Sequence, residues 1–311
     1  MQRTLLLNLS AVLMLAAGLL SACEKAPREE NKQEPADTLP APKEKKCILS
    51  VMSFNVAVDN LGEGTGWQWR KSVVNSMLSF EKPQVIGFQE AQAHEITDMI
   101  DAHPEYDWYG LGRDTGKKPA NTTAYDYEES MAIFWLRDVL EVPRCGTFWL
   151  SETPDEVSKG WDAAYNRTCT WAEFVVKETG QHFFLFNTHL DNKGKTARTN
   201  SMVLIARKML EINKEHYPAF LSADFNTTSG DAIFAPIRTA MKSTRDYAPD
   251  SEKDKMTYNG YKAPKSQIDH IFYSGNGLVP LTFRVLDSSY GAYFISDHYP
   301  IMATYRYTTT E

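Results

Sequence analysis

Residues 169–226 read CTWAEFVVKETGQHFFLFNTHLDNKGKTARTNSMVLIARKMLEINKEHYPAFLSADFN. Apolar, β-rich runs occupy 169–176, 182–190 and 218–225. Only a short polar stretch separates the first two, so no helix connects them. Between the second and third, Met202, Ile205, Met209 and Ile212 recur at helical spacing and line one apolar face. A chain in which some neighbouring strands lack a helix between them does not fit a doubly wound parallel sheet. It fits an α/β (α+β) sandwich of two mixed β-sheets with helices outside.

The rest of the chain repeats this pattern. Strand-like runs stand at 47–56 (CILSVMSFNV), 84–90 (QVIGFQE), 130–135 (SMAIFW), 267–273 (QIDHIFY) and 299–307 (YPIMATYRY). Residues 67–80 and 91–102 read as helices. From Cys47 to Glu311 there is no linker, repeat or low-complexity stretch, so 47–311 is expected to be one domain.

The N-terminal part differs. A short basic start precedes an apolar stretch, Leu5 to Leu20, that closes in Leu-Ser-Ala-Cys. This pattern is a secretory signal over 1–23, and its ending resembles a bacterial lipobox that would lipidate Cys23. The apolar stretch is short for a membrane-spanning anchor. Residues 24–46, rich in Pro, Glu and Lys, form a flexible tether that cannot bury enough apolar surface to fold. The expected location is therefore extracytoplasmic, on a bacterial membrane through the N-terminal lipid.

The formal net charge is -7. The six acidic and six basic residues of the tether cancel, so the folded part carries the deficit. That argues against a broad nucleic-acid-binding face, though not against an enzyme that meets phosphates through metal ions. Beyond Cys23 remain Cys47, Cys145 and Cys169. Cys145 and Cys169 could pair, and free thiols are the equal alternative.

The polar residues inside the strand-like runs are mostly Asp, Glu, Asn and His, and they gather at the ends. They are Asn55, Glu90, Asn187, His189, Asp191, Asp224, Asn226, Asp269, Asp297 and His298. Any one of them alone reads better as a turn starter or a satisfied core group than as a catalytic residue. Together they suit catalysis, because a rigid sheet aims such groups accurately. Carboxylates and amides suit a hard cation such as Mg²⁺ or Mn²⁺. Histidines beside carboxylates suit proton transfer, and no zinc-type cysteine cluster is present.

The motifs SFNV, FQE, NTHLD, ADFN, IDHIFYS and SDHYPI, in that order, resemble the endonuclease/exonuclease/phosphatase superfamily from about Ser50 to Tyr305. The resemblance implies a four-layer α/β/β/α sandwich (DNase I-like) and a divalent-metal-dependent hydrolase of phosphate esters. Position by position, it implies Glu90 as metal ligand with Asn55 beside it and Asp297 near the metal. It implies Asp224 and Asn226 orienting the water and a phosphate oxygen, and His189 on the scissile phosphate. His298 would be a catalytic histidine paired to Asp269. Arg167, in NRTCTWAEF, resembles a substrate-binding basic residue of some members. Whether Asp224 or His298 takes the proton stays open.

Departures narrow the branch. Asn226 is followed by Thr227-Thr228 and Asp269 is preceded by Ser266-Gln267-Ile268, unlike the inositol-polyphosphate 5-phosphatases. His189 stands where apurinic endonucleases have Tyr. The loops at 112–121 (GRDTGKKPAN) and 191–198 (DNKGKTAR) could meet phosphate, but each reads better as a solvated loop. Trp161 reads as packing.

The expectation placed first is a phosphodiesterase or nuclease. Alternatives are a phosphomonoesterase for a nucleotide, sugar or inositol phosphate, and a sphingomyelinase-like phosphodiesterase. From another class comes a binding protein on a retired nuclease scaffold. The expected partners are a phosphate-ester substrate (nucleic acid, nucleotide or phospho-metabolite) and the membrane, and the chain is expected to be a monomer.

Overall fold

The computed structural model describes residues 44–287 and 294–310. The signal, Cys23 and tether residues 24–43 lie outside them. Strand β1 (Glu44–Asn55) opens the fold. Its first three residues, Glu44, Lys45 and Lys46, belong by composition to the tether, but they pair with Thr310, Thr309 and Thr308. The folded part therefore begins before Cys47. Composition misses this because the partner's backbone, not side-chain burial, holds these residues.

Helix α1 (Trp67–Glu81) turns Trp67, Arg70, Val73, Val74, Met77 and Leu78 inward at helical spacing. It stops at Lys82, which adopts a left-handed φ of 41° just before Pro83. Next come β2 (Val85–Gln89), β3 (Ala91–Gln92) and α2 (Ala93–Ala102). The helix starts later than its sequence pattern predicts, because Ala91 and Gln92 pair with Ser130 and Glu129. Gln92 and Glu95 then close a capping box on α2.

The chain continues through β4 (Tyr106–Tyr109), β5 (Glu129–Ser130), β6 (Ile133–Leu136), β7 (Leu140–Trp149), β8 (Thr168–Val176) and β9 (His182–His189). Helix α3 (Lys195–Ile212) leads to β10 (Ala219–Asp224), α4 (Ala235–Arg238), β11 (Lys242–Ser243) and α5 (Thr244–Tyr247). The last strands are β12 (Asp250–Ser251), β13 (Asp269–Ser274), β14 (Leu278–Val285) and β15 (Ile301–Thr310).

Two large sheets result. One has the order β12-β14-β15-β1-β2-β6-β4 and the other β11-β13-β10-β9-β8-β7. Both are mixed: β1 runs parallel to β2 and antiparallel to β15, and β10 runs parallel to β9 and antiparallel to β13. A core containing Leu49, Val51, Val85, Phe183, Leu185 and Phe220 fills the space between the sheets. Met52, Phe54, Ile86 and Phe88 face α1 and α2 on one outer side. Phe184, Phe186 and Leu221 meet α3 and α4 on the other. The architecture is the expected four-layer sandwich. Cys47, Cys145 and Cys169 are free thiols. Cys145 lies opposite Ala172 and Cys169 opposite Phe148, so the ladder keeps them apart.

Period-two alternation positions the chemistry. The inter-sheet face of β1 runs Leu49, Val51, Ser53, Asn55, and that of β9 runs Phe183, Leu185, Asn187, His189. On β2 the series is Val85, Gly87, Gln89, and on β10 it is Phe220, Ser222, Asp224. Each face turns from apolar to polar toward the C-terminal end of its strand. A buried hydrogen-bond network marks the change. Gln89 Nε2 donates to Asn187 Oδ1 at 2.7 Å and to Ser53 Oγ at 3.1 Å, and Ser222 Oγ donates to Asn187 Oδ1 at 3.2 Å.

Candidate active site

The C-terminal ends of β1, β2, β9 and β10 meet the start of β13 and the segment before β15. Register does part of the work, since Asp224 pairs directly with Asp269 across β10–β13 and with His189 across β9–β10. Glu90, His189, Asp224, Asp269 and His298 come together there.

Asn55 Nδ2 donates to Glu90 Oε1 at 3.0 Å and to Asp224 Oδ2 at 3.1 Å. Glu90 Oε2 accepts from the Val58 N–H at 3.0 Å. Glu90 sits just past β2 with φ 63°, and Asn226 just past β10 with φ 52°. Left-handed backbone is tolerable for Asn but costly for Glu, a kind of strain that clusters at functional sites. The turn at Asn226 is fixed by its own N–H, which donates to Asp224 Oδ1 at 2.8 Å.

His298 Nδ1 lies 2.9 and 3.2 Å from the two carboxylate oxygens of Asp269, and its Nε2 lies 3.6 Å from Asp224 Oδ2. Burial opposes a charge on His298, but Asp269 and Asp224 outweigh it and hold the imidazolium up to about 10. His189 is the opposite case. Burial, together with Arg167, His298 and Arg113, keeps it far below its usual range and therefore neutral. Its Nε2 accepts from Asn226 Nδ2 at 2.9 Å, which leaves the ring proton on Nδ1. That Nδ1 is buried without a hydrogen-bond partner among the described residues, 3.8 Å from Glu90 Oε1.

Burial, reinforced by Asp269 and Glu90, pushes the Asp224 carboxyl up to about 7 against the pull of His298. Burial raises Asp297 as well, with Glu90 adding to it. Glu90, Asp224 and Asp297 thus crowd one cleft with negative charge and oxygen donors. This donor set fits a hard divalent cation, which would relieve the repulsion. Asp224, Asp269 and His298 also bring ligand atoms within 4.8 Å of one another. In that trio His298 Nδ1 already bonds Asp269, so we read it as a proton-handling group.

Arg167 lines the same cleft. It is nearly fully buried, Asp191 lies 3.4 Å from its Nε, and its Nη1 has no hydrogen-bond partner among the described residues. The structure adds residues that sequence reasoning missed: Arg113, Glu129, Tyr165, Asn192 and Tyr258 line the cleft. Arg113 and Asn192 fall in the two loops that read as solvated, and a basic residue beside glycine was their only signal. Trp161 packs against the outer core of the second sheet, as expected.

Residues 52–298 match the Endonuclease/Exonuclease/phosphatase family. Among solved structures, a family protein from Bacteroides thetaiotaomicron is 32% identical, with a TM-score of 0.77 over 85% of this chain and 99% of that one. A mannosyl-6-phosphatase of the same organism is 33% identical, with a TM-score of 0.76 over 83% of this chain and 99% of that one. The human Nocturnin catalytic domain, 16% identical with a TM-score of 0.66 over 87% and 98% of the two chains, shares the fold. With its motifs gathered in one cleft and the match spanning most of the folded part, the chain belongs to the Endonuclease/Exonuclease/phosphatase family.

Proposed function

We propose that the chain is a divalent-metal-dependent phosphomonoesterase acting on a phosphorylated carbohydrate. The observation that carries this reading is the size of the cleft into which the complete His/Asp set opens. Its volume is about 380 Å³, near the low end of the range of roughly 300–1,000 Å³ for small-molecule sites. A polymeric diester needs a groove that continues past the scissile bond. The 33% identical mannosyl-6-phosphatase supports the same substrate class. The diesterase expected first from sequence becomes the competing outcome.

Glu90 and Asp297 would hold Mg²⁺ or Mn²⁺, with Asn55 positioning the Glu90 carboxylate through Nδ2. When bound, the ion supplies positive charge to the phosphate and makes a water easier to deprotonate. The chain's own groups do the rest. Arg167 Nη1 and the His189 Nδ1–H are unspent donors for phosphate oxygens. Asp224 has one oxygen fixed by Asn226 and the other facing both histidines, so it is the group aimed to take the proton from water. His298, fixed by Asp269, stands beside it as an imidazolium that offsets developing charge. A retired scaffold would lack some of these groups, whereas here the whole set is present.

The purified full chain in detergent should release phosphate from hexose phosphates with Mg²⁺ or Mn²⁺ faster than it cleaves bis(p-nitrophenyl) phosphate or plasmid DNA. Preference for the diesters would restore the nuclease reading, and no metal-dependent hydrolysis across the panel would sink both. The proposal includes lipid attachment at Cys23 and an extracytoplasmic location, resting on Leu20-Ser-Ala-Cys. Palmitate labelling that survives Cys23→Ser would refute that part.

A further inference from the structure

Part of the cleft wall has no role in the hydrolytic set. Arg113 Nη1 donates to Glu129 Oε2 at 2.6 Å, and both residues line the cleft. Their backbones are locked as well. The Arg113 N–H donates to the Glu129 carbonyl at 3.0 Å, and Trp149 Nε1 donates to the Arg113 carbonyl at 2.7 Å. Glu129 is further held by pairing with Gln92. Arg113, at the start of the loop that reads as solvated in the sequence, is therefore held with Glu129 as a buried ion pair at the site, while most of the loop beyond it is exposed.

The pair is not saturated. Glu129 Oε1, Arg113 Nη2 and the side-chain amide of Asn192 form no hydrogen bond among the described residues. These groups line the cleft and are free to meet a ligand there, and the Arg113 Nε beside them is buried without a hydrogen-bond partner among the described residues. The chemistry of that ligand follows from their types. A carboxylate only accepts, a guanidinium only donates, and a side-chain amide does both. Side by side they complement neighbouring hydroxyls, each of which donates and accepts. Because the ion pair is neutral overall, it is a poor trap for a second anion. Next to it stands the Tyr165 ring, about half exposed (48%), with the Arg113 and Arg167 guanidinium carbons 5.0 and 5.4 Å from its centroid. It offers an apolar surface for ring C–H groups.

We infer that Arg113, Glu129, Asn192 and Tyr165 form the leaving-group subsite, which reads adjacent ring hydroxyls of the hexose whose phosphate is removed. This rests on the phospho-carbohydrate reading above. A site built to bond a hydroxyl discriminates far more strongly than an apolar pocket, because a ligand lacking the hydroxyl leaves buried groups unpaired.

The test compares kcat/KM for a hexose 6-phosphate and for p-nitrophenyl phosphate, which has no vicinal hydroxyls, in wild type, Glu129→Gln and Asn192→Ala. Glu129→Gln keeps the shape of the side chain, and Asn192 is exposed, so its truncation does not threaten folding. Glu129→Gln should lose about 10- to 100-fold on the hexose phosphate, the scale of a hydrogen bond to a charged group, and Asn192→Ala roughly 3- to 10-fold, that of a neutral one. Each should fall several-fold less on p-nitrophenyl phosphate. Equal losses on both substrates, or no loss on the sugar, would overturn the subsite while leaving the sugar-phosphatase reading intact. A wild type that cleaves p-nitrophenyl phosphate but ignores hexose phosphates would overturn both.

Discussion

Asp269 shows what a single carboxylate can be asked to do. It holds His298 Nδ1 from two oxygens and has almost no solvent contact. Asp269→Asn preserves volume but replaces one acceptor with a donor and removes the charge that holds His298 as an imidazolium. We expect kcat to fall by about 10²–10⁴ with little change in KM, measured by steady-state kinetics on a hexose phosphate. An unchanged thermal midpoint would separate this from unfolding. Arg70 is a second case, and the sequence does not reveal it. It sits between Trp69 and Lys71 and reads as one more charge on a helix. In the structure it is fully buried, donating to the carbonyls of Thr65, Val56, Ala57 and Ile295. It thereby ties the turn after Asn55 to the segment before Asp297. Burial drives the Glu95 carboxyl well above its usual range even with Arg70 beside it, so the carbonyls are Arg70's main partners. Arg70→Met should cost roughly 3–5 kcal/mol, because it strands buried acceptors, and should lower the urea midpoint. The candidate site residues were legible because the chemistry proposed for them admits few residue types. Arg70 was not, because burial of a cation depends on which distant carbonyls the fold brings to it.

Among elements, strands that bury both faces announced themselves, and strands at the margins did not. The runs quoted from sequence all became strands. Strand β7 gives no apolar run to quote: it lies at the edge of its sheet, contains Pro143, and has exposed polar positions. Strand β14 carries Pro280 at a register shift, and its outer partner β12 is only two residues long. The order of strands was not legible either, since pairing is set by long-range packing of faces that look alike in sequence. One position records how tightly those faces meet. A Cβ built on Gly87 would lie 2.5 Å from both Asn187 Oδ1 and Ser222 Oγ. Those atoms belong to the network between the sheets and cannot move without breaking it. Gly87→Ala should therefore destabilise the fold by about 1–3 kcal/mol, the usual cost of overpacking. It should also reduce activity by prying β2 from β9 and β10. Denaturant unfolding beside kinetics would check this, and a variant as stable as wild type would mean the layers can slide.

At the scale of the whole molecule, the fold gathers carboxylates from strands far apart in the chain and leaves them to repel one another. Composition recorded the acidity but not the crowding, because only the closed sandwich brings Glu90, Asp224 and Asp297 to one rim. A cation that binds this rim in the native state alone must stabilise the entire domain. At a concentration 100 times its dissociation constant the gain is about 2.7 kcal/mol. For a domain of this size that is a thermal shift of about 5 °C or more. Mg²⁺ should raise the midpoint by that amount and EDTA should reverse it. The gain should grow as pH rises from acid, because the cation and protons compete for the same oxygens. The variants decide which oxygens hold it. If Glu90 is the principal ligand, Glu90→Gln abolishes the shift and Asp269→Asn keeps it. If instead the ion sits among Asp224, Asp269 and His298, the two results exchange. His298 could then coordinate through Nε2 while Nδ1 keeps its bond to Asp269, so the same measurement decides whether that pair handles protons or metal.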